Sequence, residues 1–266
     1  MLRRPARFLV ACAVAVFATA LHAQSVFLEE LTSPEVQALV RAGHTTVLIP
    51  IGGTEQNGPH MVLGKHNVRV KALSGKIAAE LGNALVAPVI AYVPEGNVSP
   101  PSSHMRFAGT ISITPQTFER LLEDAARSLR ATGFRDVVFV GDHGGYQRSE
   151  QAVAERLDRE WARTTTRAHA LVDYYRAVET EYPAALAARG HSKAAIGTHA
   201  GLADTSLALA VDPKLVRRDI LAAGEHLDAA HGVYGDPRGS SEALGHLGVD
   251  AIVRRSVEAV RRLTQH

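Results

Sequence analysis

Two short runs constrain this chain more than any other feature. Residues 45–51 read TTVLIPI and residues 136–140 read DVVFV, nearly free of polar side chains after their first positions. A strand with one wet face carries a polar residue at every second position, whereas a strand that is apolar throughout is covered on both faces. The runs are short for helices and rich in β-branched and aromatic residues, which pack well on a pleated surface. The chain therefore needs a sheet with cover on two sides, and the segments between its strands must supply that cover.

The rest of the sequence meets this need. Further strands are expected at 84–93 and 168–174, and helices at 34–42, 68–81, 115–131 and 148–163. The third helix has Thr114 as its cap, Pro115 in its first turn, and Phe118, Leu121, Leu122, Ala125 and Leu129 at helical spacing. Later helices are expected at 205–210, 213–223 and 250–263. Strands alternating with helices give an α/β domain with a mostly parallel sheet. In such sheets ligands collect beyond the carboxyl ends of the strands. That rule points to the loops after Ile51, after Val140 and around 197–204. The same three loops hold Glu55, His60 and His66, then Asp142 and His143, then His199 and Asp204.

The 266 residues, 46% of them hydrophobic, suit one large domain over 24–266. The first 23 residues have a basic start, an apolar run over 8–21 and small residues near Ala23. This is the pattern of a signal peptide cleaved after Ala23, and its apolar run is short for the roughly twenty residues of a membrane span. Cys12, the single cysteine, lies in this leader. The mature chain then has neither a disulfide nor a thiol nucleophile, which fits a periplasmic or secreted enzyme with no membrane attachment after cleavage. Taking Arg3, Arg4 and Arg7 away leaves 26 basic against 27 acidic side chains. No basic field remains for nucleic acid. Carboxylates grouped with imidazoles are ligands for Zn, Mn or Fe, although no HExxH-type local signature is present.

The stretch PIGGTEQNGPHMVLGKH resembles the Glu-Gln-His-Gly-Pro-His…Leu-Gly-x-Asp motif of the creatininase (creatinine amidohydrolase) family. The likeness continues in order through SSHMRFAGTISI, VGDHGGYQ, GTHAGLADTSLALAVDP and GVYGDPRGSSEALG. The resemblance implies a three-layer α/β/α sandwich, a homo-oligomer (a hexamer in many members), and metal-dependent hydrolysis of a C–N bond in a small cyclic amide or formamide. It carries the first-metal ligands onto Glu55, His66 and His143. The position of a bridging Asp is taken by His66, that of a second-metal His by Asn57, that of a Glu two residues after the loop His by Gly145, and that of the family's late Glu by Asp204. A carboxylate can bridge two ions through its two oxygens, whereas a neutral imidazole offers one lone pair. One divalent ion per chain (Zn, Mn or Fe) is therefore expected, with no second one, and a metal-bound water as nucleophile. His199 is the expected acid–base group that protonates the leaving nitrogen, with Asp204 beside it. Asn57, His60, Asp142 and Tyr146 are expected to bind substrate or to support the ligands. Ser103 and His104 are placed in the pocket by the resemblance alone. A lactonase, an isomerase or lyase on a small sugar-like substrate, and a non-catalytic periplasmic binding protein are the competing readings.

Overall fold

The computed structural model describes residues 25–265, so the leader expected over 1–23 lies outside the described residues. Four parallel strands form one sheet in the order β2-β1-β3-β4: β1 (Thr46–Ile51), β2 (Ala84–Val86), β3 (Asp136–Gly141) and β4 (Arg167–Ala170). All six residues of β1 pair with β3, from Thr46 with Asp136 to Ile51 with Gly141. Every residue of both strands is buried.

The alternation of side chains across these strands separates two cores. Leu48, Val138 and Val140 face one layer, and Val47, Ile49, Ile51, Val137 and Phe139 face the other. The second layer is closed by α1 (Ser33–Arg41), α3 (Pro115–Thr132) and α4 (Gln147–Glu160), which contribute Phe118, Leu122, Val153 and Leu157. The first is closed by α2 (Lys65–Leu81), α5 (Val172–Glu179), α6 (Glu181–Ala187), α7 (Lys193–Ile196), α8 (Leu202–Val211) and α10 (Glu242–Leu263), while α9 (Arg218–Ala222) lies at the periphery. The result is the expected three-layer α/β/α sandwich. Fully burying one such Leu, Val or Phe contributes about 1.5–3 kcal/mol. Among the described residues no helix is long and apolar enough to cross a membrane.

Two expected strands are shorter than their hydrophobic runs. β2 stops at Val86, because Pro88 has no N–H to give the ladder. The chain beyond it bridges the sheet at Ile90, opposite Ile51, and Val93 bridges Ser112 outside the sheet. The run expected as a strand over 168–174 leaves the sheet at Ala170, and Tyr174 belongs to α5. The segment expected as a helix over 213–223 is a short 3-10 turn followed by α9.

Candidate active site

Both central strands end at the same edge of the sheet, so the loops after Ile51 and Gly141 meet there. The first loop needs its glycines. A Cβ on Gly53, whose φ is 150°, would lie 2.6 Å from Glu95 Oε1, and one on Gly52 would collide with Asn67. The missing side chain thus makes room for a carboxylate. Glu95 is held over Gly53 by Ser112, whose hydroxyl accepts from the Glu95 N–H at 3.0 Å and donates to the Gly96 carbonyl at 2.7 Å.

Around Glu55 the imidazoles converge. His104 Nε2 is 3.1 Å and His143 Nε2 3.6 Å from Glu55 Oε2, and His143 Nδ1 is 3.8 Å from Glu95 Oε2. Each of Glu55, Glu95, His104 and His143 offers a ligand atom, and those four atoms lie within 4.8 Å of one another. Glu55 Oε2 and both oxygens of Glu95 are buried and receive no hydrogen bond. A buried carboxylate without a donor is costly. Burial, followed by the charge of Glu55, pushes the Glu95 carboxyl up to about 9. Burial also lowers His143 to about 4, so its imidazole is neutral, with Nδ1 accepting from the Gly145 N–H. Three carboxylate oxygens without donors beside two imidazoles are a donor set suited to a divalent cation, so the residues present fit the metal that the sequence implies.

A second, fully satisfied network backs this cluster. Lys65, His66 and Arg69 lie in the first turns of α2 on one face, and all three are buried. His66 Nε2 lies 2.8 Å from Glu55 Oε1, and its Nδ1 lies 2.6 Å from Asp142 Oδ2. Arg69 reaches Asp142 Oδ2 at 2.8 Å and Asp204 Oδ1 at 2.7 Å. Tyr174 donates its hydroxyl to Asp142 Oδ1 at 2.6 Å, and Lys65 Nζ bonds Asp204. Burial alone would raise each of these carboxyls. His66, His143 and Lys65 instead hold Glu55 well below the carboxylate range, Arg69 and His66 lower Asp142, and Lys65 and Arg69 hold Asp204 well down.

The structure corrects several sequence expectations. His66 is not part of the converging ligand set, because its two ring nitrogens both face carboxylate oxygens at hydrogen-bond distance and neither is left for an ion. His60 turns away from the pocket and is buried with its Nε2 2.9 Å from Thr205 Oγ1. Asn57 donates to the carbonyls of Glu55 and Val62 and so ties the loop to itself. Tyr146 donates to the carbonyls of Ile51 and Gly52 and packs its ring beside His143, supporting the site from below. Asp142 orients His66 and Arg69, not His143. Asp204 accepts from the Ala200 N–H at 3.0 Å and pairs with cations, and makes no hydrogen bond to His199.

His199 faces the cluster, its Nδ1 3.7 Å from Glu55 Oε1, while its Nε2 lies 3.0 Å from the Gln56 carbonyl. Burial, then the nearby Lys65 ammonium, drops it to about 3, so it is neutral at working pH. The rings of His104 and His199 lie 4.7 Å apart. Each neighbours a residue in left-handed backbone, Ser103 at φ 50° and Ala200 at φ 55°, the two non-glycine residues with positive φ among those described. A cavity of about 440 Å³ opens over this group, with Lys65, His66, His104, His143, His199 and Asp204 in its polar wall and Tyr182, Ile196 and Leu207 in its apolar wall. An open, larger cavity of about 840 Å³ continues from it, sharing Glu179, Pro183, Ile196, Gly197, Thr198 and Tyr234.

Sequence reasoning missed Glu95, Lys65 and Arg69. Glu95 stands alone between Pro94 and Gly96 with no local pattern. Lys65 and Arg69 were legible only as an i, i+4 pair flanking His66 on one helix face.

Comparison with known proteins agrees with this architecture. The chain is 29% identical over 226 residues to the mycofactocin precursor peptide peptidase of Mycobacterium ulcerans (strain Agy99), covering 81% of this chain and 79% of the relative. It is 28% identical over 204 residues to the creatinine amidohydrolase of Pseudomonas putida, covering 74% and 75%. A structure titled as the manganese form of creatininase superposes with a TM-score of 0.75 at 26% identity, over 91% of this chain and 100% of that one. A creatininase mutant described as Zn-Zn type gives 0.76, at the same identity and coverage. The Creatininase family profile, described as creatinine amidohydrolase, matches residues 29–260, and the chain therefore belongs to the creatininase family.

Proposed function

We propose that this chain is an amidohydrolase that holds one divalent ion, zinc or manganese, through Glu55, Glu95, His104 and His143 and hydrolyses a C–N bond of a small amide. The observation that carries this reading is the set of three buried carboxylate oxygens without donors, turned toward two imidazoles. Creatinine amidohydrolase and the precursor peptide peptidase, to which the chain is similar, both have names that denote cleavage of C–N bonds.

Charge balance supports a single ion. Glu55, Glu95, Asp142 and Asp204 bring four negative charges to the site, and Lys65 and Arg69 bring two fixed positive ones. His66, with both nitrogens on carboxylate oxygens, donates twice and adds a third positive charge, so one divalent ion already leaves the buried site one charge positive and a second would leave it three. Such an ion supplies Lewis acidity toward the amide carbonyl and makes water more acidic.

The residues of the chain do the rest. His199, neutral and facing the cluster, takes a proton from the attacking water and returns it to the leaving nitrogen as the C–N bond breaks. The Gln56 backbone carbonyl and side-chain amide nitrogen both lie against His199 Nε2, at 3.0 and 3.1 Å, while Nδ1 lies on the side of Glu55. The inner cavity accepts a ring-sized amide, and its continuation into the open outer cavity favours, as a second reading, a longer linear amide. The leader supports export and cleavage after Ala23, and the family supports a homo-oligomer. The test is metal content of the purified protein, with a screen of cyclic amides, formamides, lactones and short peptides before and after chelation. Activity is expected to vanish on chelation and to return with zinc or manganese. Activity that survives complete metal removal sinks the proposal.

A further inference from the structure

Among the described residues the Lys65 side chain is the largest charged group to be fully buried, and it is not buried in apolar surroundings. Its ammonium bonds Asp204 and lies 3.8 Å from Glu55 Oε1. His199 directs Nδ1 at the same Glu55 oxygen from 3.7 Å. Two carboxylates thus gather around one positive charge, at the Glu55 oxygen other than the one that faces His104 and His143. This donor set has the composition of a divalent-ion site, and a side chain already fills it with a cation. An ammonium is a compact point charge with three donors and no lone pair. It can satisfy the carboxylates, but it excludes an ion from the same space. Arg69 cannot serve in its place, since its guanidinium is committed to Asp142 and Asp204 on the far side.

We propose that the Lys65 ammonium is a built-in second cation of the site, occupying the space between Glu55 and Asp204 that a second divalent ion would otherwise take. This rests on the reading that Glu55, Glu95, His104 and His143 hold the first ion. The tether has a chemical effect besides stoichiometry. It fixes one unit of positive charge beside the reacting group at any metal concentration.

Equilibrium dialysis against zinc, with metal counted by mass spectrometry, tests this without knowledge of the substrate. Wild type is expected to bind one tight equivalent. Lys65→Met, which keeps the length and removes the charge, is expected to bind two, the second at least tenfold more weakly. Lys65→Arg, which keeps a cation, is expected to stay at one. Lys65→Ala is expected to bind two, with ethylammonium competing for the second equivalent only, and circular dichroism verifies the fold of each variant. A Lys65→Met or Lys65→Ala protein that is folded and still binds one equivalent overturns the inference, as does a wild type that binds two. A wild type that binds no zinc overturns the underlying metal reading instead.

Discussion

Glu95→Gln should make the metal-free protein more stable while weakening its hold on metal. In the folded, metal-free protein the Glu95 carboxyl titrates near 9, against an ordinary value of 4.5. Between these values the unfolded chain is ionised at this position and the folded chain is not. The folded state binds the extra proton, so stability falls as pH rises through this window, by about 1.4 kcal/mol per pH unit. At pH 7, which is about 2.5 units above 4.5, the penalty reaches roughly 3 kcal/mol. At pH 5 it is under about 1 kcal/mol, and by pH 8.5 it approaches about 5 kcal/mol. Glutamine keeps the shape and cannot ionise, but its amide is also short of partners, so about half of the penalty should be recovered. The expected gain at pH 7 is about 1.5 kcal/mol, roughly 3–6 °C in Tm for a domain of this size. Thermal unfolding of chelated wild type and variant at pH 5, 7 and 8.5 measures this. The variant should also show a smaller Tm rise on adding zinc, since a ligand stabilises only as far as it binds. Equal Tm values at all three pH values, with the wild-type pH slope retained by the variant, would refute the reasoning.

Two further outcomes follow from the same geometry. Gly53→Ala places a methyl group 2.6 Å from Glu95 Oε1, so it should push that carboxylate aside and weaken zinc binding about tenfold or more, read by calorimetric titration, with the fold intact. Arg69→Met leaves Asp142 and Asp204 short of a buried partner and should cost about 3–5 kcal/mol by chemical denaturation.

How much of this was legible in the sequence depended on where the information was local. The two apolar runs gave the central strands almost to the residue, since a strand buried on both faces leaves an unbroken signature. Helix α3 was legible from its Thr114 cap and its spacing. The outer strands were overextended, because an apolar run does not show where Pro88 or a turn into α5 ends the ladder. The site divided in the same way. Glu55, His143 and His199 lie beside recognisable elements, and the structure places both imidazoles in the cavity wall with the buried Glu55 carboxylate within 3.7 Å of each. His66 was read as a ligand because its position matched one. Its actual partners, Asp142 and Glu55, lie 76 and 11 residues away, and no spacing rule reports that both of its nitrogens are taken. Glu95 reaches the cluster only through the fold of a loop pinned by Ser112, a relation that exists in space and not along the chain.

The left-handed residues beside His104 and His199 give the site an aim that is written in the backbone. Ser103 and Ala200 set the direction in which the next or preceding imidazole leaves the chain, whether or not anything is bound between them. Left-handed geometry costs an L-residue about 1–2 kcal/mol and is nearly closed to β-branched side chains. Valine at either position would return the backbone to negative φ and swing a ring that it never touches, whereas glycine would leave the ring in place. Ala200 is also fully buried, which narrows its tolerance to the smallest residues. Substitution tolerance at these two positions therefore measures how closely the imidazoles must be aimed, independently of any ligand they hold.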